Sequence, residues 1–187
     1  MDKLVIDIET KDTFADVGGH HNLKRLNVSV VGVYSYNEDA FFSFTEHELK
    51  ALRARLQGAG LLIGFSMNRF DLPVLAKYFD FNLMALPRLD LLDEIELSLG
   101  RRISLDILAK TNLGLGKTHQ SLEAIDLYRR GEIEELKNYC LNDVRITRDL
   151  YNLARKQKFL VVPERTTGEL VKATFNWREQ ILPATLF

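Results

Sequence analysis

The sequence predicts an α/β fold: a mixed β-sheet of three antiparallel strands followed by parallel strands, with helices on its faces. The first observation is the segment order β-β-β-α-β-α-β-α, in which strand-like and helical stretches alternate after three initial strands. The second is the apolar run GLLIGFS, residues 60–66, which is typical of a strand buried on both sides. The third is size, because 187 residues, 46% of them hydrophobic, suffice for one domain with a substantial core.

The N-terminal part predicts one strand, a loop, a hairpin and a helix. Gly18-Gly19, in a stretch of little periodicity, indicates a loop after the first strand. Two segments rich in Val, Tyr and Phe are separated by a turn at Asn37 and are typical of a hairpin. Leucines at helical spacing follow, with Thr45 as the N-cap. The predicted elements are the strand 3–10, the loop 12–27, the hairpin strands 28–37 and 39–45, and the helix 46–57.

The remaining chain alternates between strands and helices. After the buried strand 60–66, a helix is predicted in which Pro73 is tolerated only near the first turn. PRLDLLDEI begins as a strand and turns helical, and FLVVPERTT and GELVKATFNW are two short β-like segments at the end. The predicted helices cover 68–79, 104–114, 120–130 and 131–157.

Composition excludes several classes of protein. With 25 Lys and Arg against 26 Asp and Glu, the net charge of −1 argues against binding of duplex nucleic acid by bulk charge alone. Cys140 is the only cysteine, which excludes an internal disulfide and a Cys-rich zinc site. No run approaches the roughly 18 apolar residues of a membrane span, and the N-terminus lacks the layout of a secretory signal. We therefore expect a cytoplasmic protein that does not insert into membranes.

Two acids interrupt the first strand, where burial makes them costly. Asp7 and Glu9 are two residues apart and would point to the same face of a strand, so their charges repel each other. Asp71 follows the buried run at the start of a helix, and Asp143 lies four residues after Tyr139 on one face of the long helix. If both helices pack near the first strand, the four carboxylates converge.

Such a group of carboxylates suits hard divalent cations. Oxygen ligands without Cys or paired His favour Mg²⁺ or Mn²⁺ over zinc. Two such ions about 4 Å apart would clamp the attacking and leaving oxygens of a phosphodiester. Asp7, at the centre of the strand, is best placed to bridge them. Tyr139 could aim the attacking water through a hydrogen bond, although a phenol with a pKa near 10 is a poor base.

Three motifs carry a resemblance to a known family. DIET, GFSMNRFDLPVL and YCLNDV occur in this order and resemble the three exonuclease motifs of the DEDDy group of DnaQ-like 3′–5′ exonucleases, which share the ribonuclease H-like fold. The second motif most resembles the proofreading domains of B-family DNA polymerases and small bacterial relatives that stand alone or accompany helicases. The likeness extends from Met1 to about residue 157.

The resemblance implies removal of nucleotides from a 3′ end with two divalent cations, Mg²⁺ or Mn²⁺. Asp7, Glu9 and Asp143 match the positions that hold the first metal, and Asp7 also matches the bridging position. Asp71 matches the position that supports the second metal. Tyr139 matches the tyrosine of the third motif. The sister DEDDh group has a histidine where this chain has Asn138, so the resemblance is to the tyrosine group.

Candidate contacts to the substrate come from the motifs and one later loop. B-family domains usually carry Asn where this chain has Ser66, near the terminal nucleotide, and Asn68 could contribute its amide instead. Lys117 lies in GLGKT, which fails as a P-loop because Thr111 replaces the first glycine and a helix precedes it. This loop either approaches substrate phosphates or only connects two helices. The candidate substrate-binding residues are Ile8, Thr10, Ser66, Asn68, Phe70 and Lys117.

Several other residues are given structural interpretations. His20 and His21 are expected on a loop surface, where with Lys24 and Arg25 they could touch a single strand near the site. Phe65 and Phe70 are expected in the core more than as stacking platforms, although either could lie beside a terminal base. Cys140 is expected to be a small buried filler. Three further acids are interpreted as surface or capping residues: Asp90, Asp93 and Asp106.

The expected organisation is an exonuclease domain at 1–157 and a C-terminal extension at 158–187. This extension either packs on the core or lengthens the nucleic-acid path. The expected substrate is a single-stranded 3′ end, with DNA favoured over RNA, and a helicase or polymerase is a possible partner in trans. The alternative function is a catalytically silent module that keeps the fold to bind nucleic acid or a replication partner.

Overall fold

The computed structural model describes residues 1–115 and 123–177, and its centre is a five-stranded mixed sheet. The strand order is β3-β2-β1-β4-β5. The first three strands pair in antiparallel fashion, whereas β4 and β5 extend the sheet from β1 in parallel. This arrangement confirms the predicted fold class. The strands are β1 (Asp2–Thr10), β2 (Val28–Ser35), β3 (Ala40–Thr45), β4 (Ala59–Gly64) and β5 (Arg88–Asp90).

Six α-helices in the described part of the chain cover the sheet and its edges. They are α1 (Leu49–Gln57), α2 (Asp71–Leu75), α3 (Leu91–Leu99), α4 (Leu105–Leu113), α5 (Glu123–Arg130) and α6 (Ile133–Gln157). Short 3₁₀ helices cover His20–Arg25, Glu46–Glu48, Ala76–Tyr78 and Leu83–Ala85. A separate antiparallel hairpin, β6 (Phe159–Pro163) and β7 (Leu170–Thr174), follows α6.

Alternation along β1 divides the interior into two cores. Leu4, Ile6 and Ile8 are buried on the face covered by α1 and α2. Val5 and Ile63 are buried on the opposite face with residues of α3, α4 and α6. Asp7 and Glu9 share the parity of Val5, so the pleat directs them to the face on which α6 lies.

Gly32 allows α6 to lie close to the sheet. It pairs with Asp7 across the β1–β2 ladder. A Cβ atom at this position would lie 2.9 Å from Val144 Cγ2 and 3.0 Å from Cys140 Sγ, both on α6. The missing side chain therefore lets the helix rest on the sheet beside Asp7.

Two predicted segments differ from the structure. The stretch 12–27 is not only a loop, because it contains the 3₁₀ helix His20–Arg25. The predicted helix 68–79 is shorter, since α2 begins at Asp71 and gives way to a 3₁₀ turn after Leu75. Phe70 has φ −131° and ψ −68°, which is not helical. Pro73 is the third residue of α2, where its missing N–H is harmless.

The hairpin after α6 packs on the domain rather than standing apart from it. Leu160, Val162 and Ala173 are fully buried in the core that contains α4 and α6. The Asn112 side chain on α4 accepts a hydrogen bond from the Val161 N–H (2.7 Å) and donates one to the Val161 carbonyl (2.8 Å). Through these two bonds the Asn112 side chain pairs with the backbone of β6 in the way that a residue of a neighbouring strand would.

None of the helices in residues 1–115 and 123–177 combines the length and apolar character needed to cross a membrane.

Candidate active site

Three carboxylates meet where β1 and α6 face each other. Asp7 and Glu9 come from β1, and Asp143 comes from α6. One oxygen atom from each of the three side chains lies within 4.8 Å of the other two. Two features produce this cluster. The spacing of two residues directs both acids of β1 toward α6, and the missing side chain of Gly32 lets α6 lie close to the sheet.

Asp71 enters the same cleft from the N-terminus of α2, outside the group of three. Its side chain is buried, with 3% of its surface exposed. Burial raises the pKa of Asp71 to about 7, and hydrogen bonds from the backbone N–H groups of Asp71 and Ile8 partly oppose this rise. The charge of Asp71 also acts on Asp7, so it belongs to the same electrostatic system.

The two strand acids are strongly destabilised as anions. Burial raises the pKa of Asp7 well above its usual range, and the charges of Asp71, Asp143 and Glu9 raise it further. Burial likewise raises the pKa of Glu9, followed by the charges of Asp143 and Asp71. Bound divalent cations would reverse these penalties, because they replace repulsion among the anions with attraction. The donor set fits Mg²⁺ or Mn²⁺, since it consists only of carboxylate oxygens.

Cys140 contacts the carboxylate at the centre of the cluster. Its Sγ atom lies 3.5 Å from the Asp7 carbonyl oxygen and 3.7 Å from Asp7 Oδ2. The thiol is fully buried, as expected, but it also donates a hydrogen bond that lowers the pKa of Asp7 and so opposes the effect of burial. The interpretation of Cys140 as a filler therefore misses a contact to the site.

Tyr139 lines the cleft one helical turn before Asp143. Burial raises the pKa of its phenol, and the charges of Glu9, Asp143 and Asp7 raise it further. The hydroxyl group therefore stays protonated over the physiological range. It can donate a hydrogen bond but cannot act as a general base.

The acids lie at the side of an open cleft of about 470 Å³ with aromatic walls. The ring of Phe14 lies 3.9 Å from the ring of His20 and 5.9 Å from that of Phe70, measured between centroids. His20 is thus part of the cleft wall, where the sequence favoured loop surface and left a position near the site as the alternative. Phe65 and Phe70 pack against the two cores and also line the cleft. An apolar wall beside a charged centre suits a nucleobase next to its phosphate.

The candidate substrate-binding residues have different positions. Ile8, Ser66 and Phe70 line the cleft with the acids. Thr10 lines a smaller neighbouring pocket, where its hydroxyl group donates to the Asp12 carbonyl (2.9 Å). The Asn68 amide is occupied, since it donates to Asp93 (2.7 Å) and accepts from Arg88 (2.7 Å). Lys117 lies outside the described residues.

Asp90 has a larger structural role than the sequence indicated. Its carboxylate caps α3 by accepting from the Leu92 N–H (3.0 Å), as expected for a capping acid. It also accepts from the N–H groups of Ser66 (2.8 Å) and Asn68 (2.9 Å), and it is 3% exposed rather than at the surface. Asp90 therefore fixes the turn that leads to Asp71. An acid between a strand and an apolar helix was the only sequence signal for this role.

Fold and site together define a class, namely α/β domains that place an acidic cluster on the central strand of a mixed sheet. A family model described as the RNase_H superfamily matches residues 4–155. The chain belongs to this superfamily, which confirms the predicted ribonuclease H-like fold.

Two solved structures have a similar fold at low sequence identity. The family B DNA polymerase from the hyperthermophilic archaeon Pyrobaculum calidifontis has a TM-score of 0.60 and 17% identity, with 83% of this chain and 24% of the polymerase chain covered. RNase D of Trypanosoma brucei has a TM-score of 0.57 and 20% identity, with 80% and 56% covered. The chain thus spans about a quarter of the first protein and just over half of the second. No curated protein sequence is significantly similar to this chain.

Proposed function

We propose that the protein is a metal-dependent 3′–5′ exonuclease that hydrolyses phosphodiester bonds at the 3′ end of single-stranded nucleic acid, with DNA favoured over RNA. The observation that carries the proposal is the cluster of Asp7, Glu9 and Asp143, whose oxygen atoms lie within 4.8 Å of one another in an open cleft. Membership of the RNase_H superfamily and the likeness to a polymerase and to RNase D support a nuclease.

In this proposal the carboxylates hold two divalent cations. Asp7, Glu9 and Asp143 would hold one, Asp7 would be shared, and Asp71 would support the other. The ions, when bound, would supply charge stabilisation of the phosphodiester and activation of water. High pKa values for Asp7 and Glu9 support this assignment, because these anions need positive charge beside them to persist at neutral pH.

The protein's own side chains would position the strand end. The Tyr139 hydroxyl group, which stays protonated, would donate a hydrogen bond to an oxygen at the reacting centre. The rings of Phe14 and Phe70 would contact the terminal base, and Ser66 also lines the cleft. Because the cluster is recessed, a free or frayed single strand reaches it more readily than a paired end.

A labelled-strand assay tests this proposal. Single-stranded DNA and RNA carrying a 5′ label are incubated with Mg²⁺, Mn²⁺ or EDTA. We expect a ladder that shortens from the 3′ end, requires the metal, and is lost in Asp7→Asn and Asp143→Asn. The matched control is Asp149→Asn, which removes an acid from the same helix that pairs with Arg148 (2.8 Å) and does not line the cleft.

The assay also tests the rival function. Binding of the strands by a folded wild-type protein without any shortening would contradict the exonuclease and favour the silent binding module. Rapid cutting of a circular single strand would instead indicate an endonuclease. A helicase or polymerase partner in trans and a cytoplasmic location remain parts of the proposal. The location rests on the single cysteine, which suits a reducing compartment.

A further inference from the structure

A second groove adjoins the acidic cleft and shares Phe65, Ser66 and Arg102 with it. Its volume is about 680 Å³. The residues that line it come from the end of β4, the start of α3, the segment before α4, the first turn of α4, and the turn between β6 and β7. They are Phe65, Ser66, Leu92, Arg101, Arg102, Ile103, Ser104, Ile107, Pro163, Glu164 and Arg165. We refer to this surface as the arginine groove.

The arginine groove is positively charged, in contrast to the cleft beside it. Three arginines line it against one acid, Glu164. Glu164 lies 3.7 Å from Arg101, whose guanidinium also donates to the Pro163 carbonyl (2.6 Å). Arg101 therefore fixes the wall of the groove. Arg102 and Arg165 are exposed along it, and Arg102 lies 3.4 Å from the Ser66 hydroxyl group at the boundary with the cleft.

The floor of the groove is apolar and partly open to solvent. Ile107 is 44% exposed in the first turn of α4, beside Ile103 and Phe65. Exposed apolar side chains flanked by arginines suit the two parts of a single strand, because the bases need apolar or stacking contacts and the phosphates need cations. A duplex offers its bases only within its grooves, so it matches this surface less well.

The other two described pockets next to the acidic cluster are unsuited to a polyanion. One, of about 210 Å³, contains Glu9 and Asp12 and no basic residue. The other, of about 550 Å³, contains Glu123 and Glu135 against Arg145 alone. Among the described pockets, electrostatics therefore favour the arginine groove as the path by which a strand leaves the cleft.

We propose that the arginine groove binds the nucleotides on the 5′ side of the bond to be cleaved, with phosphates at Arg102 and Arg165 and bases against Ile107 and Phe65. This inference rests on the proposed function, because a 3′-terminal nucleotide in the cleft leaves only the 5′ part of the strand to continue outward. Residues 163–165 lie beyond the residues 4–155 matched by the superfamily model, so one wall of the groove lies outside the matched region.

Binding can be measured separately from hydrolysis. The background is the double variant Asp7→Asn, Asp143→Asn, which removes two negative charges and, under the proposed function, cleavage. The fluorescence anisotropy of labelled single-stranded DNA of 12 nucleotides is followed from low to high salt. We expect Arg165→Ala and Arg102→Ala each to weaken binding about fivefold. Each should also reduce the slope of log K against log salt by about 0.7, the value for one phosphate contact on a single strand.

Two matched variants separate charge from structure. Arg165→Lys keeps the charge and should keep the salt slope. Arg53→Ala removes an exposed arginine of α1, which packs on the opposite face of the sheet, and should bind as the background does. Thermal unfolding confirms that each variant is folded.

Strand length gives a second readout. A nucleoside 5′-monophosphate has no nucleotide on its 5′ side and occupies the cleft alone, so its affinity should not change in Arg165→Ala, whereas the affinity of the longer strand should fall.

The outcomes distinguish this inference from the proposed function. Unchanged affinity and salt slope in both arginine variants would overturn the groove, even if the wild type degrades strands. Equal losses in Arg53→Ala, or for the nucleoside 5′-monophosphate, would also overturn it. A wild type that binds through Arg102 and Arg165 but never shortens a strand would contradict the exonuclease and leave the groove as a binding site.

Discussion

The acidic cleft and the arginine groove lie side by side but satisfy their charges in opposite ways. In the cleft, burial and mutual repulsion destabilise the anions of Asp7 and Glu9. In the groove, Arg101 is held by a carbonyl group and by Glu164, and Arg102 and Arg165 remain in contact with solvent. Bound cations would therefore stabilise the anions of the cleft, whereas the charges of the groove are met by protein groups and by solvent. We expect substitutions of the clustered acids to alter activity and stability together, and substitutions of the exposed Arg102 and Arg165 to alter affinity alone.

The largest expected effect is that of Asp7→Asn. Loss of this carboxylate should lower the rate of strand shortening by at least about 10³-fold, because it removes the proposed shared metal ligand. The same change should raise the melting temperature of the metal-free protein, since Asn avoids the cost that Asp7 pays on folding, either as an anion repelled by its neighbours or by taking up a proton. The measurements are single-turnover hydrolysis and thermal unfolding in EDTA. A lower melting temperature of Asp7→Asn than of the wild type in EDTA would contradict the mutual repulsion of the clustered acids.

Gly32→Ala tests the packing that brings the cleft together. The new Cβ would lie within 3.0 Å of two side chains of α6, so the helix must shift or the core must strain. We expect a loss of about 1–3 kcal/mol in the free energy of unfolding and a loss of activity of about tenfold or more. Urea unfolding and the labelled-strand assay measure the two effects.

The control for that prediction is Gly58→Ala, where the nearest atom to the new Cβ is 3.4 Å away and the backbone φ is −85°. Both properties should stay near wild type there. Equal effects at Gly32 and Gly58 would show that α6 does not depend on the missing side chain.

Tyr139→Phe removes the hydroxyl group and leaves the packing of the ring. We expect the turnover number to fall about tenfold, because one oriented hydrogen bond is lost. The pH-rate profile of the wild type should show no step from a phenol near neutrality, since burial and the neighbouring acids raise the pKa of Tyr139. Disappearance of a step near neutrality in the variant would identify Tyr139 as a base and contradict this role.

The melting temperature of the metal-free protein should fall as the pH rises, and bound metal should remove this fall. The pKa of Asp71 is raised to about 7, and those of Asp7 and Glu9 are also raised. An acid whose pKa is raised by folding contributes stability below its unfolded pKa near 4, and this contribution is lost as the pH rises through the folded pKa. In EDTA, the melting temperature should therefore fall between pH 5 and pH 8.

Divalent cations should cancel that loss. Mn²⁺ binds deprotonated carboxylates, so it should raise the melting temperature more at pH 8 than at pH 5. In Asp71→Asn, the fall in EDTA should be smaller. A metal-free protein that becomes more stable toward pH 8 would contradict the arrangement of the acids.

The smallest expected effect is that of Ser66→Gly. Ser66 has φ +62°, a left-handed conformation that a serine adopts at a cost and that glycine adopts readily. The substitution should stabilise the protein by about 0.5 kcal/mol, the difference between the relieved strain and the greater freedom of glycine when unfolded. Urea unfolding measures this change.

The sequence was sufficient for the sheet and for the acids on it. Period-two spacing directed Asp7 and Glu9 to one face, and four-residue spacing placed Tyr139 and Asp143 on one helical face. Neither spacing could show that the strand and the helix meet. That contact depends on Gly32, which is 25 residues from Asp7 in the chain and has no local signal that distinguishes it from a turn glycine.

What the sequence could not predict depends on contacts between distant segments. The left-handed Ser66 redirects the chain so that the Asn68 amide reaches Asp93 and Arg88 instead of the cleft. Asp90 holds this turn from the end of β5, a contact that no periodicity indicates. The arginine groove likewise needs the β6–β7 turn to lie against the start of α4. Each is a tertiary contact made by residues with ordinary local patterns.

A calorimetric titration of Mn²⁺ into the wild-type protein and into Asp7→Asn at pH 7.5 tests the metal centre directly. We expect about two ions bound per wild-type chain, with fewer ions and much weaker binding in the variant, because Asp7 is proposed to be shared by both. The absence of Mn²⁺ binding by the folded wild-type protein, or equal binding by the variant, would contradict a metal centre built on Asp7, Glu9 and Asp143.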